Sequence, residues 1–567
     1  MSNQAAEMSN DINIPSRKDL KTLVGYFYQW EKKIPNQVFL RQPIKGQYKE
    51  YTWKEVDDQA RRIATALQTM NLPEKCNIGI VSKNTAHWIM SDISIMIGGY
   101  VSVPFYATLD AEKLNEVLVH SECKVLFVGA IDDWAGMKDG IPDNMTVITF
   151  PDSPAEADKY LKWDDLIQKN EPLSGEPEPD LDDLLTIIYT SGTTGMPKGV
   201  MHRQYNFSYV LNATKHISKL EEGNNRFLSF LPLCHVAERI AIESACLFQG
   251  GTISFVESLD TFSKNLADTQ PTHFFAVPRL WTKFKMGILN KMPESKLNLY
   301  LKIPILSGIV KNKIKKSLGL SKARIILTGA ASMPSSLLDW YKKLGIIIQE
   351  AYGMTENVGI CTSMRIDNIK KGTVGQTYPG CELKIEPITK EVLMKADWVM
   401  NGYFKDEEKT NETVKDGWLH TGDMGEIDSS GFLKITGRVK DQFKGAKGEF
   451  IVPAPIENDF AANNYVEQVC LVGRGLPQPV ALIVLSEDGQ KDDRSTVKET
   501  LEETRKSINT SLVSHEKVQK IVIVNQPWGI ENNMLTPTLK IKRNVLEEVY
   551  GQRLEDWYET KDSIIFE

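Results

Sequence analysis

No two cysteines in this 567-residue chain are spaced C-x-x-C. The seven present, Cys76, Cys123, Cys234, Cys246, Cys361, Cys381 and Cys470, are scattered and odd in number. That pattern excludes a disulfide framework or a cysteine-rich zinc site and reads as reduced cytosolic thiols. Positive charge is not in excess either: the net charge is −7, which gives nucleic acid no electrostatic footing. The N-terminal "MSNQAAEMSNDINIPSRKD" lacks an apolar core, so no signal peptide is expected. A long unbroken hydrophobic run is missing as well. The best candidate, "WIMSDISIMIGGYVSVPFYA" from Trp88, is interrupted by Asp92, a Gly-Gly pair and a proline. It predicts a buried helix followed by a buried strand, not a membrane span.

What remains is an ordinary globular composition, 41% hydrophobic and 25% charged. The length is too great for one core and suggests about three or four domain-sized units. Short apolar runs ("NIGIVSK", "YVSVPFY", "CKVLFVG", "TISFV", "HFFAVP", "ARIILTG") read as buried strands. Between them lie helical patterns. In "TWKEVDDQARRIATALQTM", Val56, Ala60, Ile63 and Leu67 recur at helical spacing, and Thr52 with Glu55 forms a capping box. Buried strands interleaved with amphipathic helices predict an α/β fold of parallel, helix-covered sheets, with ligand loops after the strands' carboxyl ends. The acidic, proline-rich "EPLSGEPEPDLDD", Glu171 to Asp183, reads as a surface linker. After about Lys440 the texture changes. "VCLVGRGLPQPVALIVLSE" predicts a hairpin, and "TVKETLEETRKSINTSL" a helix with Val497, Leu501, Ile508 and Leu512 inward. A smaller α+β unit at the C-terminus follows.

The stretch "LTIIYTSGTTGMPKGV", Leu185 to Val200, begins as a strand and breaks into a loop of Ser, Thr, Gly, Pro and Lys. Consecutive N–H groups in a Gly-rich turn make an anion-binding concavity. Ser191, Thr193 and Thr194 add hydroxyls and Lys198 a charge, a combination suited to phosphate. The P-loop pattern fails, because Lys198 stands between Pro197 and Gly199. A mobile surface turn is the bland alternative.

The full string "YTSGTTGMPKGV" resembles the signature loop of the adenylate-forming (AMP-binding) superfamily: acyl-CoA synthetases, luciferases and peptide-synthetase adenylation domains. Further motifs follow in order from about Tyr51 to Arg543: "YGMTE", "GWLHTGDMGEID", "GFLKITGRVKDQFKGAKGEFIVPAPIE" and "LTPTLKIKR". The resemblance implies a large AMP-binding domain over residues 1–439 and a small mobile C-terminal domain over 440–567, hinged at Lys440. It implies an acid–thiol ligase with two half-reactions. A carboxylate attacks the α-phosphate of ATP, releasing pyrophosphate, and a thiol then displaces AMP. A carboxylic acid is already ionised at neutral pH, so no base is needed for the first step. Positioning and electrostatics carry the chemistry.

By the same resemblance, Thr190, Ser191, Gly192, Thr193, Thr194 and Lys198 embrace the β- and γ-phosphates. Thr355 contacts the α-phosphate and Glu356 helps hold Mg²⁺, whose hard ligands are oxygens; Tyr352 and Gly353 belong to the same motif. Gly329 and Ala330, in "TGAASMP", line the adenine. Asp423 accepts from the ribose hydroxyls, and Arg438 also reaches the ribose. Lys540 bridges the attacking carboxylate and the α-phosphate, although Lys542 stands two residues on and the register leaves both open. Rotation at Lys440 turns "KGAKGEF" toward the site, where Gly448 leaves room for a pantetheine arm. His235, in "FLPLCHVAERI", stands near the acyl and thiol channels; a structural histidine is the equal alternative.

Long-chain fatty acyl-CoA synthetases are the nearest likeness, through "LPLCHVAER", "VPRLWTKF", "SHEKVQKIVIV" and "LTPTLKIKR". The implied substrates are a fatty acid, ATP and coenzyme A. No carrier domain follows within these residues, which favours a free thiol acceptor; a carrier-protein thiol, an aromatic acid, or a non-catalytic nucleotide sensor are the other readings. Cytoplasmic location is expected. A lysine-rich stretch from Lys283 to Lys322 reads either as a solvated helix pair or as a peripheral membrane-docking surface. Oligomeric state is left open, a homodimer being one option.

Overall fold

The computed structural model describes residues 15–190, 197–536 and 540–567. Its largest sheet has eight strands, in the order Gly402–Tyr403, Lys198–Arg203, Leu184–Thr190, Val101–Phe105, Asn77–Val81, Val125–Val128, Thr146–Thr149, Leu161–Lys162. From Leu184–Thr190 onward the neighbours run parallel, as the buried apolar runs predict. The other edge departs from the parallel expectation. Lys198–Arg203 returns antiparallel to Leu184–Thr190, with Thr190 opposite Lys198. A loop this short cannot make the long crossover that a parallel return needs. Thr190 and Lys198 therefore face each other at the end of this antiparallel pair.

The helix Trp53–Thr69 forms where its periodicity places it. Thr52 Oγ1 accepts from the Glu55 N–H at 3.2 Å while Glu55 accepts from the Thr52 N–H at 2.7 Å. Such a cap is worth about 1 kcal/mol. Val56, Ala60, Ile63 and Leu67 are fully buried, and each large aliphatic side chain gains about 1.5–3 kcal/mol by leaving water. The run from Trp88 also folds as expected, as a wholly buried helix Ala86–Ile97 and a buried strand Val101–Phe105. Asp92, the charge that interrupts it, is not stranded. Arg239 Nη2 donates to both of its carboxylate oxygens, at 2.7 and 2.6 Å, and Arg239 Nη1 donates to Thr186 Oγ1 at 2.7 Å. Glu243 lies beside them, and burial with the nearby Asp92 pushes its carboxyl well up, so it stays neutral.

Two further sheets extend the large unit, one sharing a core with the largest sheet and the other built mainly on a core of its own. One holds Arg226–Ser229, Thr252–Phe255, Val38–Ile44 and Gln47–Thr52. The other runs His273–Ala276, Ile325–Thr328, Gln349–Tyr352, Thr362–Ser363, Gln376–Thr377. A mostly antiparallel sheet follows, in which Trp418–Ile427 pairs with Leu433–Arg438. The acidic segment Glu171 to Asp183 is no free linker but a strap on the surface. Tyr28 donates to Pro177 O, Thr22 Oγ1 to Glu178, and Arg61 to Leu173 O.

The C-terminal region has its own cores and a four-stranded sheet. Val466–Val472 and Val480–Leu485 form the expected hairpin. In the helix Arg494–Asn509, Val497, Leu501 and Ile508 are buried; Leu512 lies past the helix end and is half-buried. The lysine-rich stretch forms three helices instead of a pair: Pro278–Lys291, Glu294–Lys302 and Pro304–Ser317. Pro293 and Pro304 divide them, since proline lacks the N–H that would continue a helix but suits its first turn. No helix of the described residues is long and apolar enough to cross a membrane. All seven cysteines are free, and six are buried.

Candidate functional site

The long strand Trp418–Ile427 presents Asp423 directly opposite Arg438 on the neighbouring strand. Arg438 Nε donates to Asp423 Oδ1 at 2.8 Å, and the Tyr352 hydroxyl donates to Oδ2 at 2.7 Å. The charge of Asp423 raises the Arg438 pKa further. Both carboxylate oxygens are thus oriented, yet each keeps a lone pair for another donor. The Tyr352 phenol is pushed well up by burial and by Asp423, so it stays a donor.

Tyr352 ends the strand Gln349–Tyr352, and Gly353 turns the chain into the short helical turn Thr355–Asn357. A Cβ at Gly353 would come within 2.1 Å of Gly359 O, so only glycine fits. The buried Glu356 accepts from the Tyr403 hydroxyl at 2.7 Å. Lys198 Nζ lies 5.3 Å from the centre of the Tyr403 ring. Burial lowers the Lys198 pKa, as do Lys409 and Lys440, while Glu356 and Asp406 oppose the shift. At the back of this turn, His202 Nε2 lies 2.7 Å from Thr355 O. A carbonyl can only accept, so Nε2 carries the proton. Burial holds this imidazole neutral down to about 4.

Lys540 joins the same cluster from the C-terminal region. Its backbone is pinned by Thr536: the Lys540 N–H donates to Thr536 Oγ1 at 3.0 Å, and the Thr536 N–H donates to Lys540 O at 2.8 Å. Its ammonium pKa is lowered by desolvation first and by Arg438 second; Asp423 and Glu356 draw it back up. Lys540 is nevertheless exposed to solvent. The Lys542 ammonium instead donates to Asn533 Oδ1 at 2.5 Å on the surface. The structure therefore brings Lys540, and not Lys542, to Asp423, Arg438 and Glu356. His235 stands in the field of Lys540, which with burial holds it neutral down to about 4. Its Nδ1 accepts from the Ala237 N–H at 3.2 Å, so it also caps a short helix.

Other expected residues lie around or away from this cluster. Gly329 follows the strand Ile325–Thr328, and a Cβ there would approach Ala351 O to 2.9 Å. Ala330 is exposed and left-handed, with φ 65°. Thr190 and Lys198 form the base of the hairpin, where Thr190 Oγ1 donates to Lys198 O at 3.4 Å. Ser191, Gly192, Thr193 and Thr194 lie outside the described residues. Lys440 is exposed just past Arg438. Gly448, with φ 84°, sits at the turn between Phe443–Lys444 and Phe450–Ile451, where nothing lies within 4 Å of an added Cβ. Among the described residues, no three His, Cys, Asp or Glu side chains converge as a metal cage. A single buried carboxylate such as Glu356 does suit Mg²⁺, which keeps water and takes most of its ligands from a nucleotide's phosphates.

Sequence reasoning missed Tyr403 and His202. Each is a single residue in an ordinary strand, without a motif spacing to mark it, and only the sheet order brings them to "YGMTE".

The model of the AMP-binding enzyme family matches residues 27–404, and that of the AMP-binding enzyme C-terminal domain matches residues 440–562. Fatty acyl-CoA synthetase B of Dictyostelium discoideum is 28% identical over 91% of this chain and 86% of its own. Long-chain-fatty-acid–CoA ligase 5 of Rattus norvegicus is 30% identical over 98% of this chain and 91% of its own. Among solved structures, the adenylation domain of a Mycobacterium chelonae carboxylate reductase superposes with TM-score 0.79 at 21% identity, covering 98% of this chain and 93% of that one. The chain belongs to the AMP-binding enzyme family.

Proposed function

We propose that the protein is an ATP-dependent long-chain fatty acyl-CoA synthetase. In the first half-reaction a fatty-acid carboxylate oxygen bonds to the α-phosphorus of ATP, the bond to the β-phosphate oxygen breaks, and pyrophosphate leaves. In the second, the thiol sulfur of coenzyme A attacks the acyl carbon and AMP leaves as the anhydride C–O bond breaks. The observation that carries this reading is that Lys540 feels the charges of Arg438, Asp423 and Glu356, with Arg438 bonded to Asp423. Two anions must meet there, and a compact ammonium on a long stem between them lowers the cost.

In this reading Asp423 and Arg438 hold the ribose, Thr355 faces the α-phosphate, and Glu356 gives a carboxylate oxygen to Mg²⁺. Bound Mg²⁺ would neutralise phosphate charge. Lys198 and the Gly-rich stretch hold the β- and γ-phosphates, and Gly329 and Ala330 border the adenine. The unit over 440–567 turns about Lys440 between the half-reactions, withdrawing Lys540 and bringing Gly448 to the thiol. The long-chain names of the relatives, and their coverage of almost the whole chain, support the choice of acid.

Isotope exchange between pyrophosphate and ATP, and thioester formation with coenzyme A, are to be measured across acids from short to long and aromatic. Both activities should peak with long-chain acids. Exchange without coenzyme A thioester would assign the acyl group to a carrier thiol, and no exchange with any acid would defeat the reading.

A further inference from the structure

Five of the sixteen exposed large hydrophobic side chains among the described residues fall within eleven positions: Leu299, Ile303, Ile305, Leu306 and Ile309. Ile305 is 79% exposed and Ile309 58%. They stand one helical turn apart, so they share a stripe on Pro304–Ser317. Leu299 and Ile303 extend the patch across the corner from Glu294–Lys302. The three helices pack on the body through Trp281, Leu297 and Ile314, which are buried, and through half-buried side chains such as Phe284, Leu301 and Val310. The corner itself faces outward.

The charge of this excursion is equally unlike the rest. Residues 278–317 carry ten Lys and Arg against one acidic residue, Glu294, a net of +9. The whole chain is −7, so everything else sums to −16. Among the described residues, only Arg279 of these cations makes a salt bridge within the protein, to Glu467. Lys296, Lys302, Lys313 and Lys316 are exposed around the apolar corner. Unpaired lysines flanking solvent-facing isoleucines is the chemistry of an element that lies in the interface of a negatively charged bilayer.

We propose that the helical excursion 278–317 docks the protein on an anionic phospholipid surface. Leu299, Ile303, Ile305, Leu306 and Ile309 enter the headgroup–acyl boundary, and the flanking lysines stay at the level of the phosphates. A second copy of this chain is a poor occupant, because a two-fold interface would set one lysine rim against another. Nucleic acid would leave the isoleucines in water. The excursion leaves the carboxyl end of the strand His273–Ala276, which is parallel to Ile325–Thr328. It therefore starts from the sheet edge where the loop with Gly329 and Ala330 also begins. The proposal needs only this surface chemistry, so it stands or falls apart from the adenylation reading.

Cosedimentation with sucrose-loaded vesicles tests it, using pure phosphatidylcholine against phosphatidylcholine containing about one third phosphatidylglycerol. The full-length protein should bind the anionic vesicles at low salt and release at high salt, with little binding to the neutral ones. Each surface lysine is worth about 1 kcal/mol, or roughly five-fold. The variant Lys302→Glu/Lys313→Glu/Lys316→Glu should therefore bind at least about 100-fold more weakly. Ile305→Asp/Ile309→Asp should lose about 10-fold or more, through the lost apolar contact and the two added negative charges together. A thermal midpoint equal to that of the parent, followed by circular dichroism, reports that both variants are folded. The salt and lipid dependence of the unmutated protein tests the idea without any variant. Equal binding to both vesicles, unchanged binding by the variants, or no binding at all would overturn it. So would self-association that Ile305→Asp/Ile309→Asp abolishes, or retention on heparin, in a protein that ignores the vesicles.

Discussion

Tyr403 donates its phenolic hydrogen to Glu356 at 2.7 Å while its ring faces the Lys198 ammonium at 5.3 Å. One side chain thus links the base of the Gly-rich hairpin to the carboxylate proposed to meet Mg²⁺. Its place follows from sheet order, since Gly402–Tyr403 pairs with Lys198–Arg203 at the edge of the largest sheet.

Tyr403→Phe removes the hydrogen bond and keeps the ring. A bond to a charged partner is worth about 1.5–3 kcal/mol. The expected result is a fall of about 10–100-fold in pyrophosphate–ATP exchange, with stability little changed. Exchange at the parental rate would free Glu356 from any dependence on Tyr403.

Asp423→Asn keeps the shape but removes the negative charge that faces Arg438 and Lys540. The amide also presents a donor to Arg438. ATP affinity should weaken by about 10-fold or more, since charge-assisted bonds are the strong ones. Calorimetric titration with ATP in the absence of acid measures this directly.

Asp92→Asn breaks one side of a wholly buried ion pair with Arg239. The arginine is then left uncompensated, at a cost of about 3–5 kcal/mol. The thermal midpoint of the large unit should drop clearly. A midpoint equal to that of the parent would mean that Thr186 and Glu243 suffice to hold the guanidinium.

The pH dependence of stability has an identifiable contributor in Glu238. Burial pushes its carboxyl up to about 8, against 4.5 for the free side chain, although Oε1 accepts from the Phe230 N–H at 2.9 Å. Between those values the unfolded chain has released the proton and the folded chain retains it. Stability from this group is therefore present below about 4.5 and is lost as pH rises toward about 8. Glu238→Gln removes the titration, so its midpoint should improve relative to the parent on going from pH 5 to pH 8. The buried His202 and His235, each lowered to about 4 from 6.5, work the other way: they cost stability as pH falls from about 6.5. A midpoint difference between variant and parent that does not change with pH would place the Glu238 titration elsewhere.

Much of the scaffold was legible before any coordinates. The helix Trp53–Thr69 announces itself through period and capping box, and the buried strands through short β-branched runs bounded by glycine. The antiparallel return after the Gly-rich loop was not legible, because Lys198–Arg203 carries no pairing signal of its own. Asp92 reads in the sequence only as an interruption; its partner Arg239 is 147 residues away. Lys540 and Lys542 share one short basic segment, and spacing cannot separate them. Tertiary placement distinguishes them, by setting one in the field of Asp423, Arg438 and Glu356 and tying the other to Asn533.

The hinge proposal is tested by Lys440→Pro, which fixes a backbone torsion at the exposed residue after Arg438. It should spare pyrophosphate exchange and slow thioester formation from supplied acyl-adenylate. Loss of both half-reactions to the same extent would contradict rotation at this residue.

The most direct test of the proposed chemistry is pyrophosphate–ATP exchange by Lys540→Ala and Lys542→Ala, each paired with thioester formation from supplied acyl-adenylate. Lys540→Ala should lose exchange by about 100-fold or more, the scale of one electrostatic group aimed at the reacting phosphate, while keeping the thioester step; Lys542→Ala should keep both. Exchange that survives in Lys540→Ala, or vanishes in Lys542→Ala instead, would contradict the assignment of Lys540 to adenylate formation.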